Sequence, residues 1–350
     1  MKKLIKILVF IILIPVGYLV AVILFGTVTD FKPDKKEVIS KIEENFTIND
    51  TLTYSILTYN IGYCGLGAGM DFFYDGGKKV RDTEDNTLLN MYNITEWLRS
   101  NDTIDFILLQ EVDINSRRSY KINEYENFNL SLADYFPFFA TNYKVKFVPV
   151  PFIKPLGKVE SGIMTLSKYI PVQSTRYSYP GNYSWPKSTF MLDRCFMVNR
   201  YKLDNKKDLL VINTHNSAYD DGTLRDQQLA FLKKFLLAEY QKGNYLIVGG
   251  DWNECPPGFK PKFEGQVFDT INLFYVDKDY MPATWKWSYD NTHPSNRRVT
   301  IPYEKGVCPV TLIDFYLTSP NVEVVQCKGI TTDFKNSDHQ PVILQFKLKE

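Results

Sequence analysis

The chain has 350 residues, of which 44% are hydrophobic and 23% charged, the balance of a folded globular protein and not of a disordered one. It carries 41 basic and 40 acidic residues, and Lys2, Lys3 and Lys6 account for part of the basic side. The rest is slightly acidic, which argues against a dedicated nucleic-acid binder, because such proteins neutralise phosphate with a basic excess.

In chain order, the first feature is the uncharged run Ile7–Val28. It matches the roughly 20 residues a helix needs to cross a bilayer core. Pro15 and Gly17 lie inside it, and both are tolerated in membrane helices. The three lysines before it put the N-terminus in the cytoplasm and export the remainder. A cleaved signal peptide would show a shorter apolar region of ~7–15 residues and a small-residue cleavage site. The expectation is a single-pass membrane protein with an extracytoplasmic body. Its parts are a basic stub at 1–6, an anchor at 7–28, a polar tether at 29–50 and one domain at 51–350.

Strands and helices then alternate. Tyr54–Asn60 is a β-rich run that ends at a glycine turn. Asn86–Arg99 has helical spacing, with Leu89, Ile94, Trp97 and Leu98 as its apolar set. Asp105–Glu111 reads as a short buried strand. Further strands are expected at Lys144–Pro149, Gly162–Leu166, Cys195–Leu203, Leu209–Thr214, Tyr245–Gly249, Leu312–Leu317, Val322–Cys327 and Val342–Leu348. Leu224–Tyr240 is the clearest amphipathic helix. The proline-rich stretch 254–309 reads as a long loop, and loops of that length are usually functional or insertions. The cysteines number five with no Cys-x-x-Cys pair, so a zinc site built from them is not expected and buried thiols are.

Six of the segments end an apolar strand in a chemically capable residue. They are LTYN with Asn60, LLQE with Glu111, VINTHN with His215 and Asn216, LIVGGDWN with Asp251 and Asn253, TLIDFYLTS with Asp314, and SDHQPV with Asp338 and His339. Strand ends present side chains at one rim of a sheet, a usual place for an α/β active site. Carboxylates suit a hard cation such as Mg²⁺, and two histidines add acid–base capacity. Hydrolysis of a phosphoester needs both. Asp314 inside an apolar strand needs a partner, since burying even a neutral polar group unpaired costs about 2–7 kcal/mol. His215 is the expected one. His293 and the Arg297–Arg298 pair read as surface loop. Trp185, Trp285 and Trp287 read as core, cleft or membrane-surface residues. The glycines after Asn60 lack the G-x-G-x-x-G spacing, so a dinucleotide loop is rejected.

The ordered series Asn60, Glu111, His215, Asp251-x-Asn253, Asp314 and Ser337-Asp338-His339 resembles the endonuclease/exonuclease/phosphatase superfamily, with its deoxyribonuclease-I-like fold. SGIMTLSKYIPV at 161–172, Arg225 with Gln228, and ATW at 283–285 resemble lesser signals of the same family. The resemblance runs from Asn60 to His339 and implies a four-layer α/β sandwich of two packed mixed sheets flanked by helices. It also implies Glu111, Asn60 and Asp338 at a Mg²⁺ site that could take Mn²⁺. His339 would be a general base or a phosphate contact. Asp251 and Asn253 would position water, His215 would stabilise the phosphorane or assist the leaving group, and Asp314 would orient His215. Arg225 and Asn216 would bind substrate. One departure is Val112-Asp113 directly after Glu111, where some nucleases of the superfamily carry a basic residue; here arginines come only at Arg117 and Arg118.

The expected activity is Mg²⁺-dependent phosphoester hydrolysis at the membrane surface, on a phospholipid head group or a nucleic acid, with no protein partner predicted. A non-catalytic tethered binding protein on the same fold is the contrasting reading. It would be favoured by loss of Glu111, His215 or His339, and all three are retained.

Overall fold

A computed structural model describes residues 2–44, 46–271 and 273–349, without the side chains of residues 4–12. Two sheets form its centre. The first runs, edge to edge, through Lys36–Lys41, Gln173–Ser178, Cys195–Leu203, Asp208–His215, Tyr245–Asp251, Asp314–Thr318 and Lys286–Ser288, with Thr47–Ile48 paired beside Cys195–Leu203. The second runs through Val322–Gly329, Val342–Leu348, Thr53–Asn60, Phe106–Asp113, Gly157–Ser167 and Phe136–Val148. Both mix parallel and antiparallel pairs.

The central strands are buried almost throughout: every residue of Tyr245–Asp251 is buried, and in Phe106–Asp113 only Glu111 is half-buried. Apolar side chains of the two inner faces meet in one core: Ile56, Phe106 and Leu108 from the second sheet pack with Val211, Ile247 and Tyr316 from the first. The outer faces are covered by helices. Thr223–Gln241 lays Leu229, Leu232 and Leu236 on the first sheet. Glu84–Ser100 lays Met91, Ile94 and Leu98 on the second. The latter helix starts where Thr83 accepts a hydrogen bond from the Asn86 amide at 3.3 Å, with Glu84 and Asp85 in its first turn. The expected four-layer α/β sandwich is therefore the architecture.

Three local expectations differ. The segment 29–50 is not a free tether: Lys36–Lys41 pairs antiparallel with Gln173–Ser178, and Ile48 is buried in the inter-sheet core. Its sparse apolar residues gave no periodicity, so only the partner strand makes it a strand. The stretch 254–309 is not one loop, since Lys286–Ser288 adds a strand beside Asp314–Thr318, and Trp285 and Trp287 pack in the core. A short helix, Glu124–Ser131, went unread because it buries only Glu124 and Phe128. All five cysteines are free, and four are buried.

The N-terminal helix spans Lys2–Val28. Among the described residues no helix is long and apolar enough to cross a membrane. The first half of the expected anchor lies largely outside the described side chains.

Candidate active site

The polar strand ends converge because of register. Asp251 pairs with His215 on one side, in a parallel ladder, and with Asp314 on the other, in an antiparallel one. Gly250 makes the approach possible: a Cβ there would stand 2.0 Å from the Thr214 carbonyl oxygen. Its φ of +151° is also open mainly to glycine.

The same register separates His215 from Asp314 by two strand spacings, roughly 10 Å at about 4.8 Å each. The expected orientation of His215 by Asp314 is therefore replaced by another pair. His339 Nδ1 donates to Asp314 Oδ2 at 2.8 Å, and the Ser337 hydroxyl accepts the His339 amide at 3.1 Å. Nε2 of His339 lies 3.0 Å from Asn296 Nδ2 and 3.8 Å from Asp251 Oδ2. His215 turns Nε2 toward Asp251 Oδ2 at 3.5 Å, and its Nδ1 makes no hydrogen bond.

The opposite wall comes from the second sheet. The ladder between Phe106–Asp113 and Gly157–Ser167 slips between Leu109 and Val112, and Glu111 adopts a φ of +56°. A bulge of this kind re-aims a side chain that strict alternation would send elsewhere, and here it turns the Glu111 carboxylate into the cleft. Asn60 ends its strand with Nδ2 facing Asp251 Oδ2 at 2.9 Å and Glu111 Oε1 at 3.3 Å, while Oδ1 accepts the Gly62 amide. The Asn60 amide thus ties the two walls together. Asp338 lies beside Gly62, where a Cβ would meet Asp338 Oδ1 at 2.7 Å.

Glu111, His215, Asp251, Asp338 and His339 line a cavity of about 260 Å³, with Asn60 and Asp314 buried behind its wall. Burial, reinforced by Arg194 and His339, pushes His215 well below the usual imidazole range and keeps it neutral. His339 goes the other way: burial lowers it, but Asp314, Asp338 and Asp251 outweigh that and raise it to about 10. Burial raises Asp251 to about 6, with His339 opposing and Asp314 adding to the rise. Asp338 is lifted to about 7 by burial, opposed by His339 and reinforced by Glu111. The two histidines thus carry different charges in one cleft.

For a metal, two sets of ligands compete. Asp251, Asp314 and His339 bring one donor atom each within 4.8 Å of one another. Two of those residues, however, are already tied to each other by the 2.8 Å bond between Asp314 and His339. Glu111 and Asp338 are the better fit. Their carboxylates line the same cavity and repel each other, and a hard divalent cation held by one or two carboxylates removes that repulsion.

The remaining expected residues brace the Asp251 turn, and of them Asn253 lines the cavity. Asn253, in a left-handed conformation at φ +53°, donates its amide to Asp251 Oδ1 at 2.9 Å and its Nδ2 to the Asn216 carbonyl at 3.0 Å. Asn216 is fully buried and accepts from the Thr214 hydroxyl. Arg225 is 3% exposed, paired with Asp220 at 3.0 Å and bonded to the Asn253 carbonyl. Neither Asn216 nor Arg225 lines this cavity, although Arg225 lines the adjoining hollow; both hold the Asp251–Asn253 turn.

Several cavity residues were not anticipated. Arg118 grips Asp113 at 2.9 Å, lies 3.6 Å from Glu111 and stacks 3.8 Å over the Tyr63 ring. It supplies the basic group that the positions next to Glu111 lack. Arg297 is 1% exposed and donates to the carbonyls of Leu66, Gly67 and Met70, and Arg298 pairs with Asp269. Both are ordered parts of the cleft and not solvated loop. Arg194 Nη1, Asn142 Nδ2 and the Tyr63 hydroxyl are buried donors without a partner on the cavity wall. No spacing rule marks them; Arg194 is signalled only by standing just before a strand.

The family model described as Endonuclease/Exonuclease/phosphatase family matches residues 57–339. No curated protein matches the chain. Among solved structures, an endonuclease/exonuclease/phosphatase from Beutenbergia cavernae shares 16% identity at a TM-score of 0.57, over 85% of this chain and 72% of that one. The human Nocturnin catalytic domain with bound sulfate shares 16% identity at 0.55, over 87% and 97%. TDP2 from D. rerio, complexed with a single-strand DNA product, shares 14% at 0.52, over 84% and 99%. The likeness to these structures is one of fold, while the family match spans every polar strand end described above: the chain belongs to the endonuclease/exonuclease/phosphatase family and is a phosphoester hydrolase.

Proposed function

We propose that the protein is a Mg²⁺-dependent phosphoester hydrolase, with Mn²⁺ as an alternative ion, working outside the cytoplasm on a membrane to which its N-terminal helix anchors it. The observation that carries the catalytic part is the geometry of one cavity: His339 fixed by Asp314 at 2.8 Å, His215 Nε2 facing Asp251 Oδ2 at 3.5 Å, and the Asp251 carboxylate held between them by Asn60 and Asn253. The acids around His339 raise its pKa and make it a poor fit for a base near neutral pH, so of its two expected roles the phosphate contact is favoured. Asp251 becomes the group that takes a proton from water, since a base works best with its pKa near the working pH. Asn253 and Asn60 hold that carboxylate in place. Neutral His215 faces the same oxygen and can hydrogen-bond to the phosphoryl group as charge builds. Arg194 offers a further unpaired donor to the phosphate. Glu111 and Asp338 would hold the cation, which supplies neutralisation of phosphoryl charge.

For the anchor, the support is the uncharged run Ile7–Val28 behind three lysines. Nucleic acid stays the second substrate reading, because one relative of like fold holds a DNA product.

The test is hydrolysis by the protein on duplex DNA, RNA and phospholipids, with Mg²⁺, with chelator, and with His215→Ala. Metal-dependent cleavage of one class, lost in the variant, is expected. Undiminished cleavage in chelator, or in His215→Ala, would sink the mechanism.

A further inference from the structure

Beside the catalytic cavity lies a second hollow of about 420 Å³. Tyr74, Met191 and Tyr219 line both, so the two are continuous. The other walls of the second are Val148, Pro149, Val150 and Phe190, with Lys187 at its edge. Apart from that lysine and the tyrosine hydroxyls, the walls are carbon. Their neighbours are apolar too. Val150 is 41% exposed, and the loop that follows it exposes Phe152 and Ile153 by 74% and 78%. Large contiguous apolar surface on a soluble face marks an interaction site.

This hollow and the loop beside it lie against the second half of the N-terminal helix, from Tyr18 to Thr27. Gly26 lies so close to the Phe190 ring that a Cβ there would stand 2.7 Å from it. The Tyr18 and Phe152 rings meet edge to face at 5.7 Å. The indole of Trp185, 63% exposed, donates to the Thr27 hydroxyl at 3.0 Å. Exposed aromatics at the end of an apolar helix are the groups that prefer the membrane–water boundary.

We infer that this hollow holds a hydrocarbon chain of the substrate, and that the substrate is a phospholipid whose phosphoester reaches the neighbouring cavity. The inference rests on the reading of that cavity as a phosphoester site, and it deepens that reading by naming the substrate class. The argument is one of complementarity along a single path. At one end stand Arg194, whose Nη1 has no partner among the described residues, and His339, two donors that fit a phosphate. At the other end stand Val150 and Phe190, which fit methylenes. Between them the two tyrosines and Met191 form a shared wall, and only an amphiphile satisfies both ends. The hollow is within the size of ligand pockets, about 300–1,000 Å³. Its position beside the helix end lets a lipid enter without its chain crossing water.

The experiment uses the full chain in detergent-free nanodiscs or dilute detergent and titrates butyl, octyl and dodecyl phosphate by calorimetry, with hydrolysis of bis(p-nitrophenyl) phosphate measured in parallel. Affinity should rise at least tenfold from butyl to dodecyl phosphate, since each fully buried methylene strengthens binding roughly fourfold. Val150→Glu should flatten that rise and leave turnover of the small ester unchanged. A second variant, Val150→Leu, should keep the rise. Equal affinity for all three phosphates, or an unchanged rise in Val150→Glu, overturns the groove. Failure to turn over the small ester while the chain-length rise persists overturns the hydrolase reading and leaves the groove standing.

Discussion

The two walls of the cleft reach the same cavity by different means. The first sheet delivers His215, Asp251 and Asp314 by plain register, three strand ends side by side. The second delivers Glu111 by breaking register, through a bulge and a left-handed φ of +56°. The chemistry divides along the same line. The first-sheet wall, completed by His339, manages protons through a charged imidazole, a neutral one and a carboxylate near 6. The second-sheet wall concentrates negative charge, Glu111 facing Asp338, with Arg118 holding its outer side. The lesson is that a regular ladder suits groups that must sit at fixed spacing from one another. A residue that must point at a cation is placed by local distortion, whose cost of order 1–3 kcal/mol the surrounding ladder absorbs.

The largest effect should come from the second wall. Glu111→Gln keeps size and hydrogen bonding but removes the charge. It should cut turnover by about a thousandfold or more and abolish Mn²⁺ binding seen by electron paramagnetic resonance, with the melting temperature unchanged. Retained Mn²⁺ binding would move the cation to the Asp251 side and erase the division.

Next comes the first wall. Asp314→Asn removes the group that charges and orients His339, and a drop in kcat of about a hundredfold to a thousandfold follows. Mn²⁺ affinity should stay within twofold, and a parallel loss of metal would show that the walls are not separable.

Arg194→Met tests a residue reached only through tertiary structure. Loss of a charge-assisted hydrogen bond, about 1.5–3 kcal/mol, predicts a tenfold to hundredfold fall in kcat/KM, mostly in KM. A pure kcat effect would place Arg194 at the reacting atoms and not at substrate binding.

The smallest effect lies outside both walls, as a control on them. Asp193 is pushed up to about 7 by burial and by Asp30, against Arg176. Its native pKa exceeds the unfolded value of 3.8, so the native state holds the proton more tightly. The carboxylate therefore costs nothing below pH 4, costs progressively more as pH rises, and reaches its full cost above 7. Asp193→Asn should raise the melting temperature at pH 8 and leave it unchanged near pH 4. A variant equally stabilised at both would show that charge is not the cause.

The strand-end residues were legible in the sequence because each borders an apolar run: Asn60, His215 and Asp251 close a strand, Asp314 opens one, and Asp338 and His339 stand just before one. Long apolar runs and amphipathic spacing also settled the central strands and the two large helices, since burial on both faces or on one stripe is written directly into residue type. Partnership was not legible. Asp314 announced that it needed a partner, but its choice of His339 over His215 follows from strand spacing, which no spacing in sequence encodes. The edge strand Lys36–Lys41 read as a tether because half-exposed edges carry little pattern. Arg118, Arg194 and Arg297 took their roles from where loops brought them: an arginine's charge is local, but what it pairs with depends on contacts between residues far apart in the chain. What sequence alone determined was the inventory of chemical groups and the layers that bury them. The tertiary structure alone decided which of those groups share protons, which face a cation, and which cavity opens onto an apolar hollow, because these depend on distances of a few ångströms between separate strands.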